Sequence, residues 1–220
     1  MDRRLATFDV PLLNRAEPYI SDSGRTEEDD VALYYDAAAG LRRRTHLSNR
    51  DLNLIYRDAM RFFTETERLS FRQYQAGEKK PEEFERDCAM YLKRSFPQEM
   101  GNDNDFGVMM ERIMLAMFGY DVIQPLIDNE DTSDIKICGP YDIRVRVKGK
   151  AYKSNATFMD EGDLFRFVDG LAIRNQVNIF EHPLVTFTDK HDANYILRFM
   201  VSSPVVNSVD YPYLHITHLR

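Results

Sequence analysis

The side chains of this chain that could do chemistry include a regularly spaced set of cations. Arg144, Arg146 and Lys148 occupy every second position of the apolar segment 142–148, so a strand would direct all three toward one face. Two interpretations stay open. The face is either an exposed basic surface, the ordinary outcome of period-two alternation, or a contact with a neighbouring subunit.

Histidines offer little for metal binding. His215 and His218 are three residues apart in a strand-like segment, and this spacing directs them to opposite faces, so we expect no shared metal. The other histidines have no suitable partner spacing. No catalytic triad or carboxylate pair can be recognised from sequence order, since such sites form only in space.

Nucleotide hydrolysis would require a P-loop, in which glycines let backbone N–H groups wrap the phosphates ahead of Lys-Ser/Thr. The 10 glycines of the chain include no such arrangement, and none follows Gly170. We therefore expect no catalysis by these residues alone.

Composition sets broad limits. The chain has 220 residues, of which 43% are hydrophobic, enough to bury a core in one or two domains. The formal net charge of -7 argues against a globally basic surface, and we expect no direct nucleic-acid binding. Cys88 and Cys138 are too few for a disulfide framework and are interpreted as small apolar residues. No apolar run spans a bilayer and the start lacks a signal peptide, which predicts a cytoplasmic location.

Residues 1–46 are predicted to form an N-terminal arm that is partly mobile. The polar run 21–30 has little to bury. The basic run Arg42-Arg43-Arg44 follows the acidic run 27–30 and is interpreted as a solvated or intramolecularly paired segment, with phosphate or lipid binding as the alternative.

Residues 47–119 are predicted to form a helical bundle. Ser48 and Asp51 resemble a capping box at the start of a helix that should continue to about residue 75. Pro81 opens a second helix, and a third should run from near Asp105 to Gly119.

Residues 120–220 mix strands with one helix, which predicts an α+β fold. A helix should begin at Asp160, where carboxylates face the positive end of the helix dipole. The predicted strands share period-two alternation or enrichment in aromatic and β-branched residues, and they cover 134–138, 142–148, 151–157, 184–188, 195–201 and 213–219.

The segment 119–149, GYDVIQPLIDNEDTSDIKICGPYDIRVRVKG, has a recognisable order. It contains a glycine, an apolar-x-Pro-Leu-apolar helix, an acidic turn, an acidic-apolar-x-apolar strand, Gly-Pro, and a strand that ends in glycine. This order resembles the entrance to the N-terminal domain of secretion traffic ATPases, the hexameric motors of type II and type IV secretion, conjugation and pilus assembly. The resemblance continues more weakly to residue 220 and leaves the first hundred residues unexplained.

The resemblance implies a PAS-like domain with an antiparallel sheet and packed helices. It implies that the sequence ends where the linker to a C-terminal P-loop domain would begin. The full-length protein would then be a hexameric ATPase that uses ATP and Mg, whereas this portion would need no cofactor. It would cover the nucleotide site and transmit motion to inner-membrane secretion or pilus components, while lying peripherally at the inner face of the membrane. The helical region is the best candidate for docking to them.

Two arginines are the site residues that the resemblance implies. In this family the N-terminal domain supplies arginine that reaches the phosphates of bound nucleotide. Arg220 matches the arginine that ends the closing strand in relatives. Arg198 lies about two residues from the position of an arginine in relatives, a shift that preserves the strand face. For both, the alternative is a surface arginine paired with a carboxylate.

The sequence is also compatible with a second class of function. The chain could be a stand-alone PAS-like module that binds a small ligand or a protein and has no ATPase attached. A P-loop encoded soon after Arg220 would exclude the stand-alone module, and a natural stop codon there would exclude the motor.

Overall fold

Helices fill the first half of the described chain and strands dominate the second. The computed structural model describes residues 33–35, 46–179, 181–189, 196–203 and 211–219. Apart from residues 33–35 and 46, the predicted arm over 1–46 lies outside the described residues. None of the helices within the described ranges is long and apolar enough to cross a membrane.

Four helices form the bundle. Their bounds are α1 Asn49–Arg61, α2 Arg68–Gln75, α3 Pro81–Ser95 and α4 Asp103–Phe118. Ser48 caps α1, because its side-chain oxygen accepts a hydrogen bond from the Asp51 N–H at 3.2 Å. Pro81 stands in the first turn of α3, as predicted.

The helix predicted to run unbroken to about residue 75 is interrupted. A π-helical turn, Phe62–Thr66, separates α1 from α2. The Thr64 hydroxyl donates to the Met60 carbonyl at 2.8 Å, a local bond that competes with regular helix geometry. Consecutive phenylalanines then both meet α3, since Phe62 stacks on Tyr91 at 4.2 Å and Phe63 packs on Phe84 at 4.9 Å. Packing against α3 accompanies the wider turn.

A tight connection leads from the bundle to the sheet. Gly119 follows α4, and a Cβ there would lie 2.9 Å from the Gln124 side-chain oxygen, so the close approach requires glycine. A 3₁₀ turn, Asp121–Ile123, and the short α5, Gln124–Ile127, complete the connection.

The described strands form a mixed sheet that is antiparallel except at one edge. Its strands are β1 Leu33–Tyr35, β2 Thr132–Gly139, β3 Asp142–Val147, β4 Lys150–Ser154, β5 Leu184–Asp189, β6 Ile196–Ser202 and β7 Tyr213–Leu219. Their spatial order is β1-β4-β3-β2-β7-β6-β5, and β1 alone pairs in parallel, with β4. Helix α6, Glu161–Arg174, connects β4 to β5.

Two apolar clusters stabilise this arrangement. One lies among α1–α4, and the other lies between the strands, α5 and α6. The α+β class is confirmed. The predicted strands after residue 120 are all present, and their ends differ from prediction by no more than two residues except for β4, which ends at Ser154, three residues before the predicted end at 157. The domain boundaries at 47–119 and 120–220 and the PAS-like architecture stay predictions.

The central strand β2 should be the most sensitive part of the sheet. Ile137 is fully buried and lies between Ile143 of β3 and Leu214 of β7. We expect Ile137→Ala to lower the free energy of unfolding by about 2–5 kcal/mol, through lost burial and the cavity left behind. Chemical denaturation would measure the change. The exposed Lys150→Ala is the control and should stay within about 0.5 kcal/mol of wild type; a similar loss in both variants would contradict the assignment.

Candidate functional site

We call the side of the sheet that faces away from the apolar cluster of α5 and α6 the outer face. The outward side chains of β2–β7 lie on it. Along β6, Leu197, Phe199 and Val201 are buried on the inner side, so Ile196, Arg198 and Met200 alternate with them on the outer face. Arg198, a predicted site residue, is therefore exposed to solvent.

Arg198 occupies the middle of the three strands β5–β7. Its cross-strand neighbours are Thr188 on β5 and Thr217 on β7. Within the described ranges no carboxylate forms an ion pair with Arg198. The other predicted site residue, Arg220, lies outside the described residues, the last of which is Leu219.

Exposed apolar side chains lie on the same face of β5–β7 as Arg198, and two of them, Ile196 and Met200, flank it along β6. Each is at least 37% exposed, and the set is Leu184, Ile196, Met200, Tyr213 and Leu219. Such a grouping on one face of a sheet is typical of a surface that meets a partner.

The inner side of the sheet holds β6 in place. Phe199 is fully buried and stacks on Phe187 of β5 with ring centroids 5.4 Å apart. Its ring also stacks on Tyr120 at 6.2 Å. These contacts fix the strand that carries Arg198.

A buried ion pair anchors the far end of β5. Asp189, only 1% exposed, accepts a hydrogen bond from Arg174 of α6 at 2.7 Å and one from the Tyr120 hydroxyl at 3.3 Å. Arg174 also donates to the carbonyls of Phe118 and Gly119. One guanidinium thus connects α6, β5 and the end of α4.

The other half of the outer face is basic. Arg144 and Arg146 project there from β3, as predicted, but Lys148 lies in the turn after β3 with φ +49° rather than on the strand. The strand ends at Val147 because the chain reverses direction at Gly149, whose φ is +78°.

The two closely spaced histidines face opposite ways, as predicted. His215 lies 3.1 Å from Asp134 on the outer face, whereas His218 opposes the buried Leu197. Partial burial opposes ionisation of Asp134, yet hydrogen bonds from Ser133 and His215 outweigh it and lower the pKa of this carboxyl. The described part of the chain contains no group of His, Cys, Asp or Glu residues that could hold a metal ion.

A buried ionic cluster joins the bundle to α6. Asp163, only 2% exposed, accepts hydrogen bonds from the Met159 N–H at 3.0 Å and from the Tyr56 hydroxyl at 3.3 Å. The Arg166 guanidinium pairs with the same carboxylate. A buried charge requires such partners, because its desolvation is otherwise costly.

Further members of this cluster come from α1, α4 and the connection to α5. The Arg112 guanidinium lies 4.1 Å from the ring centroid of Tyr56 and donates to the Asn53 side-chain oxygen at 2.8 Å. Asp121 is buried with φ +48°. Sequence reasoning missed this cluster, because its members are distant in sequence and no local pattern indicates it.

Asp121 should make stability depend on pH. Burial and the nearby Asp163 raise the pKa of Asp121 from 3.8 to about 7, against the lowering effect of Arg112 and Arg166. Between these values the native state binds more protons than the unfolded state, so this carboxyl costs stability as pH rises through the window. Asp121→Asn removes the titration, and asparagine tolerates a left-handed backbone.

We expect the stability of Asp121→Asn relative to wild type to increase from about pH 4 to about pH 7, as measured by urea unfolding at several pH values. The exposed Asp103→Asn on α4 serves as a matched control and should show no such increase. A difference for Asp121→Asn that is the same at every pH would show that the carboxyl titrates normally.

Comparisons with known proteins give little further guidance. No family model matches the chain, and no curated protein matches it. Among solved structures, the VirB11 ATPase from the Brucella suis type IV secretion system, in complex with sulphate, is similar with a TM-score of 0.40 and 11% sequence identity. The similar region covers 45% of this chain and 30% of that chain. Similarity at this level establishes neither family nor function.

Proposed function

We propose that these 220 residues form the N-terminal, non-catalytic portion of a hexameric secretion, conjugation or pilus-assembly ATPase. The observation that carries the proposal is the ordered series from Gly119 to Gly149. In the fold this series runs as glycine, α5 with its Pro-Leu pair, an acidic turn, and the β2–β3 hairpin with Gly-Pro between its strands. The sequence resemblance and the element order are therefore consistent with each other.

In this proposal the outer face of β5–β7 covers ATP and Mg that a P-loop domain outside this chain would hold. Arg198 is suited to the task because it is exposed and carries no ion pair with a described carboxylate. Arg220 follows β7 directly in sequence. A guanidinium neutralises phosphate charge and donates two hydrogen bonds in a fixed geometry.

The bundle would dock to inner-membrane secretion or pilus components, so that the protein works in the cytoplasm at the membrane's inner face. Support comes from large apolar side chains that the bundle leaves exposed. Leu54, Leu69 and Met90, one each on α1, α2 and α3, are 50%, 75% and 60% exposed. These side chains are the first positions at which contact with such a partner would be tested.

We expect the isolated chain to show no ATP turnover and at most weak nucleotide binding, because phosphate-reaching arginines without a phosphate cradle give little affinity. We also expect it to be a monomer or weakly associated, since the absent domain would supply much of the ring contact. A steady-state ATPase assay and light scattering would measure both. Hydrolysis by the purified chain, or a stable hexamer, would contradict the proposal.

The coding sequence beyond Arg220 separates the proposal from a stand-alone PAS-like binding module. A P-loop encoded soon after this residue would support the motor. A stop codon there would instead favour the module.

In the full-length protein, Arg220→Ala should reduce ATP turnover strongly while nucleotide binding persists. Arginines that reach the transferred phosphate contribute about 10³–10⁵ in rate elsewhere, and a motor limited by domain motion would lose less. Arg220→Lys should rescue poorly, because lysine lacks the planar two-pronged donor. Arg198→Ala should reduce turnover in the same way.

Steady-state ATPase activity would measure these effects, with nucleotide affinity and oligomer size checked in parallel. The exposed Arg86→Ala on α3 is the matched control and should keep wild-type turnover. Unchanged turnover in Arg220→Ala and Arg198→Ala would reject both assignments, whereas collapse of the hexamer would indicate a structural role.

A further inference from the structure

A cavity of about 540 Å³ lies where the bundle meets α6. It is bordered by the turn between α2 and α3, the end of α4 and one side of α6, and its lining includes Tyr74, Lys79, Lys80, Met117, Phe118 and Arg174. Gly77, Glu78 and Lys80 are exposed, so the cavity opens to solvent at the turn, and we call this open side the mouth. Cavities of this size are typical of sites that hold a small molecule.

Two glycines shape the cavity. Gly77 ends α2 with φ +76°, and the Glu78 N–H then donates to the Gln73 carbonyl at 2.9 Å, so the chain leaves the helix in a fixed turn. On α6, a Cβ at Gly170 would lie 2.9 Å from the side-chain nitrogen of Gln75, so glycine lets the end of α2 approach α6 closely. The cavity lies beside this contact.

The inner wall of the cavity is apolar and is held in place by packing. Tyr74 and Met117 are only 3% and 6% exposed, and Phe118 follows Met117 at the end of α4. The fully buried Phe84 packs edge-on against two of these side chains, with ring centroids 5.3 Å from Tyr74 and 5.5 Å from Phe118. Burial and a hydrogen bond to Asp87 raise the pKa of Tyr74 to about 12, so its ring stays neutral. The wall therefore suits an aromatic ring.

Two lysines stand at the mouth of the cavity. Lys79 and Lys80 lie there with Glu78, the one carboxylate in the lining that the described residues form. Within the described ranges neither lysine forms an ion pair. The Lys79 ammonium donates to the Ser70 hydroxyl at 3.2 Å and lies 5.1 Å from the ring centroid of Tyr74. A cation and an aromatic ring are thus close together in one site.

Arg174 adds little to this charge. Its guanidinium pairs at 2.7 Å with Asp189, which is almost fully buried, and it donates to the carbonyls of Phe118 and Gly119. The net positive charge of the lining therefore comes from the two lysines at the mouth.

We propose that this cavity binds a small molecule that carries an aromatic ring and a phosphate group, with the ring against Tyr74 and Phe118 and the phosphate at Lys79 and Lys80. Lysine binds phosphate as a compact point charge, and two adjacent lysines match the double charge of a phosphate monoester better than a single carboxylate. The lining contains no residue of the strands, so this site is separate from the outer face of the sheet. The inference does not depend on the proposed ATPase function.

Naphthyl phosphate is the probe, because it combines the ring and the phosphate in one molecule. In the full chain labelled with ¹³C at the methionine methyl groups, Met117 reports on the cavity and Met200 on the outer face. An NMR titration should shift the Met117 signal to saturation with a Kd below about 1 mM, the range that a ligand of this size can reach. The Met200 signal should not move. A Met117→Leu variant would assign the reporting signal.

The separate halves of the probe test the two contacts. Inorganic phosphate lacks the ring, and naphthol lacks the charge. Each should bind at least about tenfold more weakly than naphthyl phosphate, because each makes only one of the two contacts.

The decisive variant combines Lys79→Gln with Lys80→Gln, which removes both charges and keeps side chains of similar length. It should weaken the binding of naphthyl phosphate about tenfold or more. The matched control combines Lys150→Gln with Lys153→Gln, which changes the net charge equally at exposed positions of the sheet and should keep wild-type affinity. Circular dichroism would establish that both variants fold.

Any of four results would overturn the proposal. Naphthyl phosphate could leave the Met117 signal unmoved, or it could shift Met117 and Met200 alike, which would mean nonspecific binding. The variant at Lys79 and Lys80 could bind with wild-type affinity, which would exclude the lysines as the phosphate site. Inorganic phosphate or naphthol could bind as tightly as naphthyl phosphate, which would show that one of the two contacts is not made.

Discussion

The carboxylate of Asp163 makes the buried polar contact between the bundle and α6, the helix that packs against the sheet. It accepts hydrogen bonds from Met159 and Tyr56 and pairs with Arg166, so the loop before α6, helix α1 and α6 itself converge on one charge. Removing one partner of a buried charge is far more costly than the pair's net contribution to stability. The helices are therefore held by a polar contact whose geometry is specific, whereas apolar packing alone would tolerate several arrangements.

Helices at the inner side of the sheet bury that side and leave the outer face without cover from the described helices. Alternation then determines what the outer face displays, since each strand must turn every second side chain outward. The face divides into a basic half on β2–β4 and a half on β5–β7 where exposed apolar side chains alternate with threonines and Arg198. In a chain of net charge -7 this division is not a consequence of average composition. It follows from which residues occupy the alternate, outward-facing positions of the strands.

Sequence patterns predicted the local structure well and the buried cluster not at all. Ser48, Pro81 and Asp160 marked helix starts that are present, because capping and dipole effects act within a few residues. The π-helical turn at 62–66 was missed, since it accompanies contacts with Tyr91 and Phe84 on another helix. Parallel addition of β1 to β4 was likewise unpredictable, because strand order depends on tertiary contacts. Arg198 was placed on a strand face correctly, but its role stays a prediction.

The surroundings of Arg198 bear on how such a residue would act. In water an exposed guanidinium gains little from one anion, because solvent screens the pair. Ile196 and Met200 flank Arg198 on its own strand, and Leu219 lies opposite Ile196. A partner that covered these side chains would exclude water from the arginine and so strengthen its attraction to a phosphate. Without an anion, the same covering would destabilise the complex, because the arginine would be desolvated and unpaired. If Arg198 acts as proposed, the apolar side chains beside it along β6 would favour closure on an anionic ligand and disfavour closure without one.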